Sequence, residues 1–271
     1  MVVVSRSLID HEVLAETIDT AVGDCLDKAA RVIVPEDIVK SKKDTNYGKM
    51  LEEFAFPNGH LPHYEVSKGD LIGDQLEVKY GWRLPVSLGG AKKDNHRGLM
   101  KFSFSGLRSS VDRLVDAKTP IKGDAWSGIE ERRALAQELM RRAWEHLASR
   151  VIMSLENMRR KDINIEALVA SGGVASNRFL RQVLRKQLDF HGYETLELAF
   201  PSIEFCTDNA AMIAWTGYEM YEAGFESTMD IAPFRKWSLQ PLDDIPETER
   251  DWEENAFGIL GVSGWKRRGK Y

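Results

Sequence analysis

The segment Leu168-Val-Ala-Ser-Gly-Gly-Val-Ala-Ser-Asn177 carries the residue types best suited to holding a ligand. An apolar strand that ends in Gly172-Gly173 and opens a helix lets a ligand approach the backbone without meeting a Cβ. It also aims the unpaired N–H groups of a helix N-terminus at an anionic or polar group. Asn177, at the helix start, can donate to a ribose or phosphate oxygen or simply cap the helix, and a structural turn alone accounts for the same glycines. A second segment, Phe205-Cys-Thr-Asp-Asn-Ala-Ala-Met212, sets Asp208 at the start of another helix. There it serves as a cap, or as a carboxylate ligand for a cation at the C-terminal edge of a sheet. The third is Asp19-Thr-Ala-Val-Gly-Asp-Cys-Leu-Asp-Lys28. Asp24 and Asp27, three apart, share a helical face, and Gly23 inside that helix costs about 1 kcal/mol relative to Ala. Such a helix either displays a solvated acidic face or meets a ligand that needs a close backbone and carboxylate acceptors.

The elements that must position these residues follow from periodicity. Val2–Val4 reads as a strand that starts with no lead-in, so the chain is expected to begin inside a fold. A helix is expected from Thr20 to Ile33, capped by Asp19, stopped by Pro35 and buried through Val22, Cys25, Leu26, Ala29 and Ile33, and a shorter one from Gly48 to Ala55. Residues 56–101, rich in Gly, Pro, His and charge, read as a long irregular connection with a short strand at Leu76–Tyr80. Lys101–Ser105 alternates as a strand and runs into a helix to Ala117. Ser127-Gly-Ile-Glu130 reads as a capping box for the longest helix. Its apolar face is Leu135, Leu139, Ala143, Leu147, Val151 and Leu155. Beyond it come a strand at Ala167–Ala170, a helix at Asn177–Leu188 buried through Phe179, Leu180, Val183, Leu184 and Leu188 and closed by Gly192, a strand at Thr195–Leu198, and a helix at Asp208–Ala223. Strand, helix, strand, helix in this order means an α/β layer with a parallel strand pair. Residues 1–232 are expected to form the main domain, and 233–271 a partly docked tail.

Composition narrows the classes. The 271 residues are 43% hydrophobic and 29% charged, with a net charge of −5. No apolar run approaches 18 residues, so no membrane partner is expected. Two cysteines, Cys25 and Cys206, make no disulfide framework and fit a reducing compartment. Basic clusters at Arg141-Arg142, Arg159-Arg160-Lys161, Arg178 to Lys186 and Lys266-Arg267-Arg268 read as solvated helix faces and a loose tail, with an RNA-phosphate footprint as the alternative. All six histidines read as non-ligands, since His60-Leu-Pro-His63 lies in a loop with Pro between. Neither a Gly-x-Ser-x-Gly, a Cys-x-x-Cys nor a Walker loop occurs. No signal or transit peptide is read at Met1–Ser7.

Taken in order, these segments resemble the tRNA N6-adenosine threonylcarbamoyltransferases, formerly called O-sialoglycoprotein endopeptidases. Leu14 to Arg31 is similar to the family helix GETxDDAxGEAFDKxAR, and Lys101 to Leu107 to FSFSGL. Ser171 to Asn177 is similar to SGGVAAN, and Cys206 to Ala214 to CTDNGAMIA. The connection at 56–101 and the Gly-Trp-Lys ending look most like the mitochondrial, fungal-type branch. The resemblance implies an α/β fold of the actin/Hsp70/sugar-kinase type, of which this chain would be largely the C-terminal lobe with an incomplete N-terminal lobe. It implies acyl transfer from threonylcarbamoyl-adenylate to N6 of adenosine 37 in tRNAs that read ANN codons, in mitochondria. Asp27 would contact the nucleotide ribose, Gly48 would line the same pocket, and Gly172, Gly173 and Asn177 would lie against the adenosine. Asp208 would ligate one divalent metal ion, iron or zinc. The partners implied are tRNA, threonylcarbamoyl-adenylate and a second copy of the chain in a homodimer. The sequence departs from the family at Asp24, where the family has Glu, and at Tyr47-Gly48, where it has two glycines. The family's His-x-x-x-His pair and its strand ending in SGGHT do not occur in these residues. A lobe without activity, binding as a subunit of a tRNA-modification complex, is the alternative.

Overall fold

The computed structural model describes residues 1–42, 46–67, 69–88, 98–119, 126–202, 205–206, 210–227 and 229, together with short strands at 236–238, 255–257 and 266–267. The protein is mixed α/β and divides into two compact units, Glu16–Thr207 and a second made of Met1–Ala15 with Asp208–Tyr271.

In the second unit, β1 (Val2–Ser5) runs antiparallel to the first part of β2 (His11–Thr17). Helix α8 (Ala210–Glu222) closes at Gly224, whose φ of 85° suits glycine. The expected start of that helix at Asp208 lies outside the described residues. The tail read as irregular contributes β7 (Lys236–Ser238), which pairs in parallel with β8 (Asn255–Phe257). It also contributes β9 (Lys266–Arg267), antiparallel to β6 (Phe225–Glu226).

The larger unit is built around α-helices packed on one another. Helix α1 (Val22–Ile33) buries Cys25, Leu26, Ala29, Ala30 and Ile33, the face its sequence predicts with only Val22 less covered. It packs on α3 (Tyr47–Ala55), α5 (Ser105–Lys118) and α6 (Ile129–Arg160). Helix α7 (Arg178–Phe190) buries Phe179, Leu180, Val183, Leu184 and Leu188 against α6, again the predicted face. Each such side chain contributes about 1.5–3 kcal/mol of hydrophobic stabilisation. Strands β4 (Ala167–Val169) and β5 (Glu197–Ala199) pair in parallel on either side of α7, with Leu168 opposite Leu198. The end of α7 is a left-handed turn at Gly192, φ 81°, with Tyr193 N–H reaching back to Leu188 C=O.

Three local expectations are overturned. Leu76–Tyr80 is not a strand but the end of α4 (Leu71–Tyr80), which follows the short α2 (Glu36–Ser41) and α3 in the chain. Asp70 caps it by accepting from Gly73 N–H, and Gly81 closes it at φ 75°. Those two end signals outweigh the alternation of Leu76, Val78 and Tyr80. The strand at Lys101–Ser105 stops after β3 (Lys101–Phe102), which pairs in parallel with Glu16–Thr17 at the end of β2. Ser105 already belongs to α5. Asp19 does not cap α1, whose N-cap is Ala21 with no side-chain hydrogen bond. Its carboxylate instead accepts from the Ser103 and Ser105 hydroxyls at 2.6 and 2.7 Å and from Phe104 N–H at 2.9 Å, pinning the corner between β3 and α5. Partial burial alone would raise the Asp19 pKa, but those hydrogen bonds prevail and hold it well below the usual carboxylate range.

The capping box at Ser127 also takes another form. Gly128 is the N-cap of α6, and buried Glu131 reaches back to accept from Ser127 N–H at 2.6 Å. Glu131 accepts as well from the Trp82 indole at 2.9 Å and pairs with Lys118 at 3.0 Å.

Candidate functional site

The glycine turn follows directly from β4. Gly172 has φ 92° and ψ 166°, a region that side-chain-bearing residues essentially do not enter. Its carbonyl accepts from Ala175 N–H at 2.9 Å, starting a single 3-10 turn over Gly173–Ser176 that delivers the chain into α7. A methyl built on Gly172 or Gly173 would meet nothing within 4 Å among the described residues. Asn177 resolves into the cap: its Oδ1 accepts from Leu180 N–H at 2.8 Å, and its Nδ2 approaches Met140 Sδ at 3.7 Å. It is 7% exposed.

The expected free N–H groups of α7 are not free. Glu52, from α3, accepts from Arg178 N–H at 2.7 Å and from Phe179 N–H at 3.3 Å. This carboxylate occupies the place an anionic ligand would take at the helix end, and it ties α3 to the glycine turn. Burial raises its pKa above the usual carboxylate value, and the two amide donors only partly offset that. Nothing in the sequence marked Glu52, an acid on the surface stripe of a short helix.

Helix α1 brings the other candidates to the same corner. A Cβ on Gly23 would stand 3.3 Å from Val174 Cγ2, so the glycine lets α1 approach the 3-10 turn. The cost of a glycine inside the helix is therefore explained by packing. One turn further along the same face, Asp27 Oδ1 lies 3.3 Å from where a Cβ on Gly48 would be. Gly48 sits in the first turn of α3, behind its N-cap Asn46, which accepts from Lys49 N–H at 3.0 Å. Asp24, by contrast, is exposed and pairs with Lys28 at 2.8 Å. Thus Asp27, Gly48 and the Gly172-Gly173 turn gather along one face of α1. A half-buried carboxylate beside an open backbone turn can accept from a pair of hydroxyls while amides meet a polar group.

Asp208 lies outside the described residues. Among the described residues no group of three or more His, Cys, Asp or Glu could hold a metal ion. Asp208 by itself, a single carboxylate, would leave most of a divalent ion's coordination shell to other ligands. Both cysteines are free and buried. Two cavities among the described residues lie elsewhere, one lined by Arg83, Leu84, Pro85, Val86, Gly106, Ser110 and Arg113, the other along α6.

The comparisons with known proteins agree on one family. The model of the tRNA N6-adenosine threonylcarbamoyltransferase family matches residues 1–215, four-fifths of the chain. The chain belongs to that family. Its relatives include the mitochondrial tRNA N6-adenosine threonylcarbamoyltransferase of Schizosaccharomyces pombe, 32% identical over 248 residues, covering 89% of this chain and 52% of that protein. The Bartonella tribocorum tRNA N6-adenosine threonylcarbamoyltransferase is 30% identical over 267 residues, 96% of this chain and 57% of that protein. The Rickettsia bellii tRNA N6-adenosine threonylcarbamoyltransferase is 27% identical over 234 residues, 86% of this chain and 56% of that protein. The chain thus spans about half the length of the curated relatives it matches. No helix among the described residues is long and apolar enough to cross a membrane.

Proposed function

We propose that this chain carries the adenylate-binding corner of a tRNA N6-adenosine threonylcarbamoyltransferase, and takes part in moving the threonylcarbamoyl group from threonylcarbamoyl-adenylate to N6 of adenosine 37 in tRNAs reading ANN codons. The observation that supports it best is the gathering of Asp27, Gly48 and the Gly172-Gly173 turn along one face of α1. In this reading Asp27 accepts from the ribose hydroxyls, and the absence of a side chain at Gly48 leaves room beside that carboxylate. The amides of the glycine turn hold the adenylate, and Asn177 and Glu52 position that turn by closing the N-terminus of α7. The N6 amine attacks the threonylcarbamoyl carbonyl, and the adenylate leaves as AMP; no covalent enzyme intermediate is needed. No step is assigned to a metal. A site in which Asp208 is one ligand to iron or zinc belongs to the same reading, as do a two-lobed actin/Hsp70/sugar-kinase-like fold with this chain as its C-terminal lobe, a homodimer, and action in mitochondria.

Gly173 separates structure from function. Its added methyl meets no atom of the described residues within 4 Å, so Gly173→Ala is expected to keep the fold while blocking a ligand that lies on the turn. Titration of the 271-residue chain with AMP is expected to show binding that weakens by about tenfold in Gly173→Ala and in Asp27→Asn, with unchanged melting temperature. AMP binding equal to wild type in both variants, or no AMP binding by the wild-type chain, overturns the reading.

A further inference from the structure

Asn177 and Glu52 close the helix that follows the glycine turn, but they do not touch the carbonyls of the turn itself. We propose that Arg181 and Phe200 are positioning residues of the adenylate corner, clamping the backbone of residues 172–176 in the form that receives the nucleotide. This rests on the reading of that corner as a nucleotide site, and it adds two residues which that reading does not use.

Arg181 stands one turn into α7, beyond the cap Asn177. Its side chain reaches back toward the helix N-terminus, the direction long helical side chains take. Its Nε donates to the Ala175 C=O at 2.9 Å, in the middle of the 3-10 turn. The guanidinium carbon lies over the Phe200 ring, 4.5 Å from its centre, a cation–π distance. Phe200 directly follows β5, where the Ala199 C=O accepts from Ala170 N–H at 3.0 Å. That bond lies just before β4 gives way to Ser171 and Gly172. The pair thus joins three pieces of backbone: the end of β5, the 3-10 turn and the first part of α7.

The clamp stands where positioning is needed. Gly172 and Gly173 have no side chains with which to hold their own backbone. The internal bonds of the turn run from Ala175 N–H to Gly172 C=O and from Asn177 N–H to Val174 C=O, and Arg181 takes the Ala175 C=O. A loop ordered before its ligand arrives spares the complex the cost of ordering it. Arginine suits the task because its planar guanidinium donates along an edge while its face lies on a ring, which a lysine ammonium cannot reproduce. Arg185 gives the contrast at the far end of the same helix. It pairs with Asp189 and donates to the Tyr193 and Leu196 carbonyls, away from the glycine turn.

The test measures AMP affinity of the full 271-residue chain by calorimetry, together with the amide ¹H–¹⁵N resonances of Gly172 and Gly173 in the free protein. Arg181→Met is expected to weaken AMP binding by about fivefold and to displace both glycine resonances, and Phe200→Leu to do the same by a smaller factor. Arg181→Lys keeps the charge and is expected to weaken AMP about as much as Arg181→Met, which separates positioning from simple attraction of the phosphate. Arg185→Met is expected to lower the melting temperature while leaving AMP affinity and the glycine resonances in place. Should Arg181→Met fail to fold, Arg181→Lys and Phe200→Leu carry the test through the same two readouts. Wild-type affinity in Arg181→Met or in Arg181→Lys, or an equal loss in Arg185→Met, overturns this inference alone. A wild-type chain that does not bind AMP overturns the reading of the corner and this inference with it.

Discussion

At the N-terminus of α7, two polar side chains close the helix by accepting from its first backbone N–H groups. Asn177 answers Leu180, and Glu52 answers Arg178 and Phe179. Around the middle of α6, buried polarity is instead a web of full charges drawn from distant parts of the chain. Glu138 accepts from Arg141 and Arg142, and Asp70 accepts from both of them and from Arg83. Arg141 reaches Glu145 as well, at 2.9 Å. The first arrangement leaves open backbone at Gly172 and Gly173, as a ligand site must. The second locks the α4 segment onto α6, where a lost partner strands a charge away from water. The corner proposed to receive a guest is thus held by one neutral and one charged cap, and the surrounding scaffold by shared ion pairs.

The largest effect that this contrast predicts is at Glu138, which is 1% exposed. Glu138→Gln leaves two buried guanidinium groups short of their shared acceptor and is expected to cost about 3–5 kcal/mol in urea unfolding. A loss below about 1 kcal/mol would break the comparison, placing the web among ordinary surface pairs.

Next comes pH. The folded-state pKa of His146 is lowered from 6.5 to about 4, so the neutral ring is the form the fold prefers. Stability is complete above pH 6.5 and falls by about 1.4 kcal/mol per pH unit as pH drops from there toward 4. Asp70 is depressed to about 2, burial being outweighed by Arg142 and Arg141, so its contribution is present above the ordinary carboxylate range and is lost only in stronger acid. Urea melts between pH 7 and 2 separate the two windows, and His146→Gln is expected to flatten the upper one.

A smaller effect sharpens the picture of the glycine turn. Gly172→Ala is expected to cost about 1–3 kcal/mol, because ψ 166° at φ 92° suits glycine alone. Gly173→Ala should leave stability within experimental error. Equal costs at the two positions would mean that the turn is ordinary packing. The smallest effect belongs to the caps: Asn177→Ala and Glu52→Gln should each cost about 1 kcal/mol by thermal or chemical denaturation. If Glu52→Gln approached the cost of Glu138→Gln, the two regions would not differ in kind.

Much of the site could be read in advance wherever it is local. The turn at Gly172, the cap at Asn177 and the apolar face of α7 follow from neighbours within a few residues, which sequence spacing reports directly. Glu52 could not be read that way, since its partners lie 126 and 127 residues along the chain. Asp19 shows the same limit: its nearest helix start was the natural partner, and the FSFS corner, 84 to 86 residues away, took it instead.

By itself the sequence determined the parallel β4–α7–β5 unit, the buried faces of α1 and α7 and the residues that carry the family. Those depend on period, cap and turn, all of which act over one or two turns of chain. The tertiary structure decided the fate of α6. Its basic cluster Arg141-Arg142 reads as a solvated face, and Glu138, Arg142, His146, Arg150 and Ser154 recur every four residues along the helix. Instead all of them are buried, because α6 is packed against α1, α3, α4, α5, α7 and β3. A helix can report its own amphipathicity, but it cannot report that distant segments will bring the carboxylates and carbonyls that make burial of its polar side affordable.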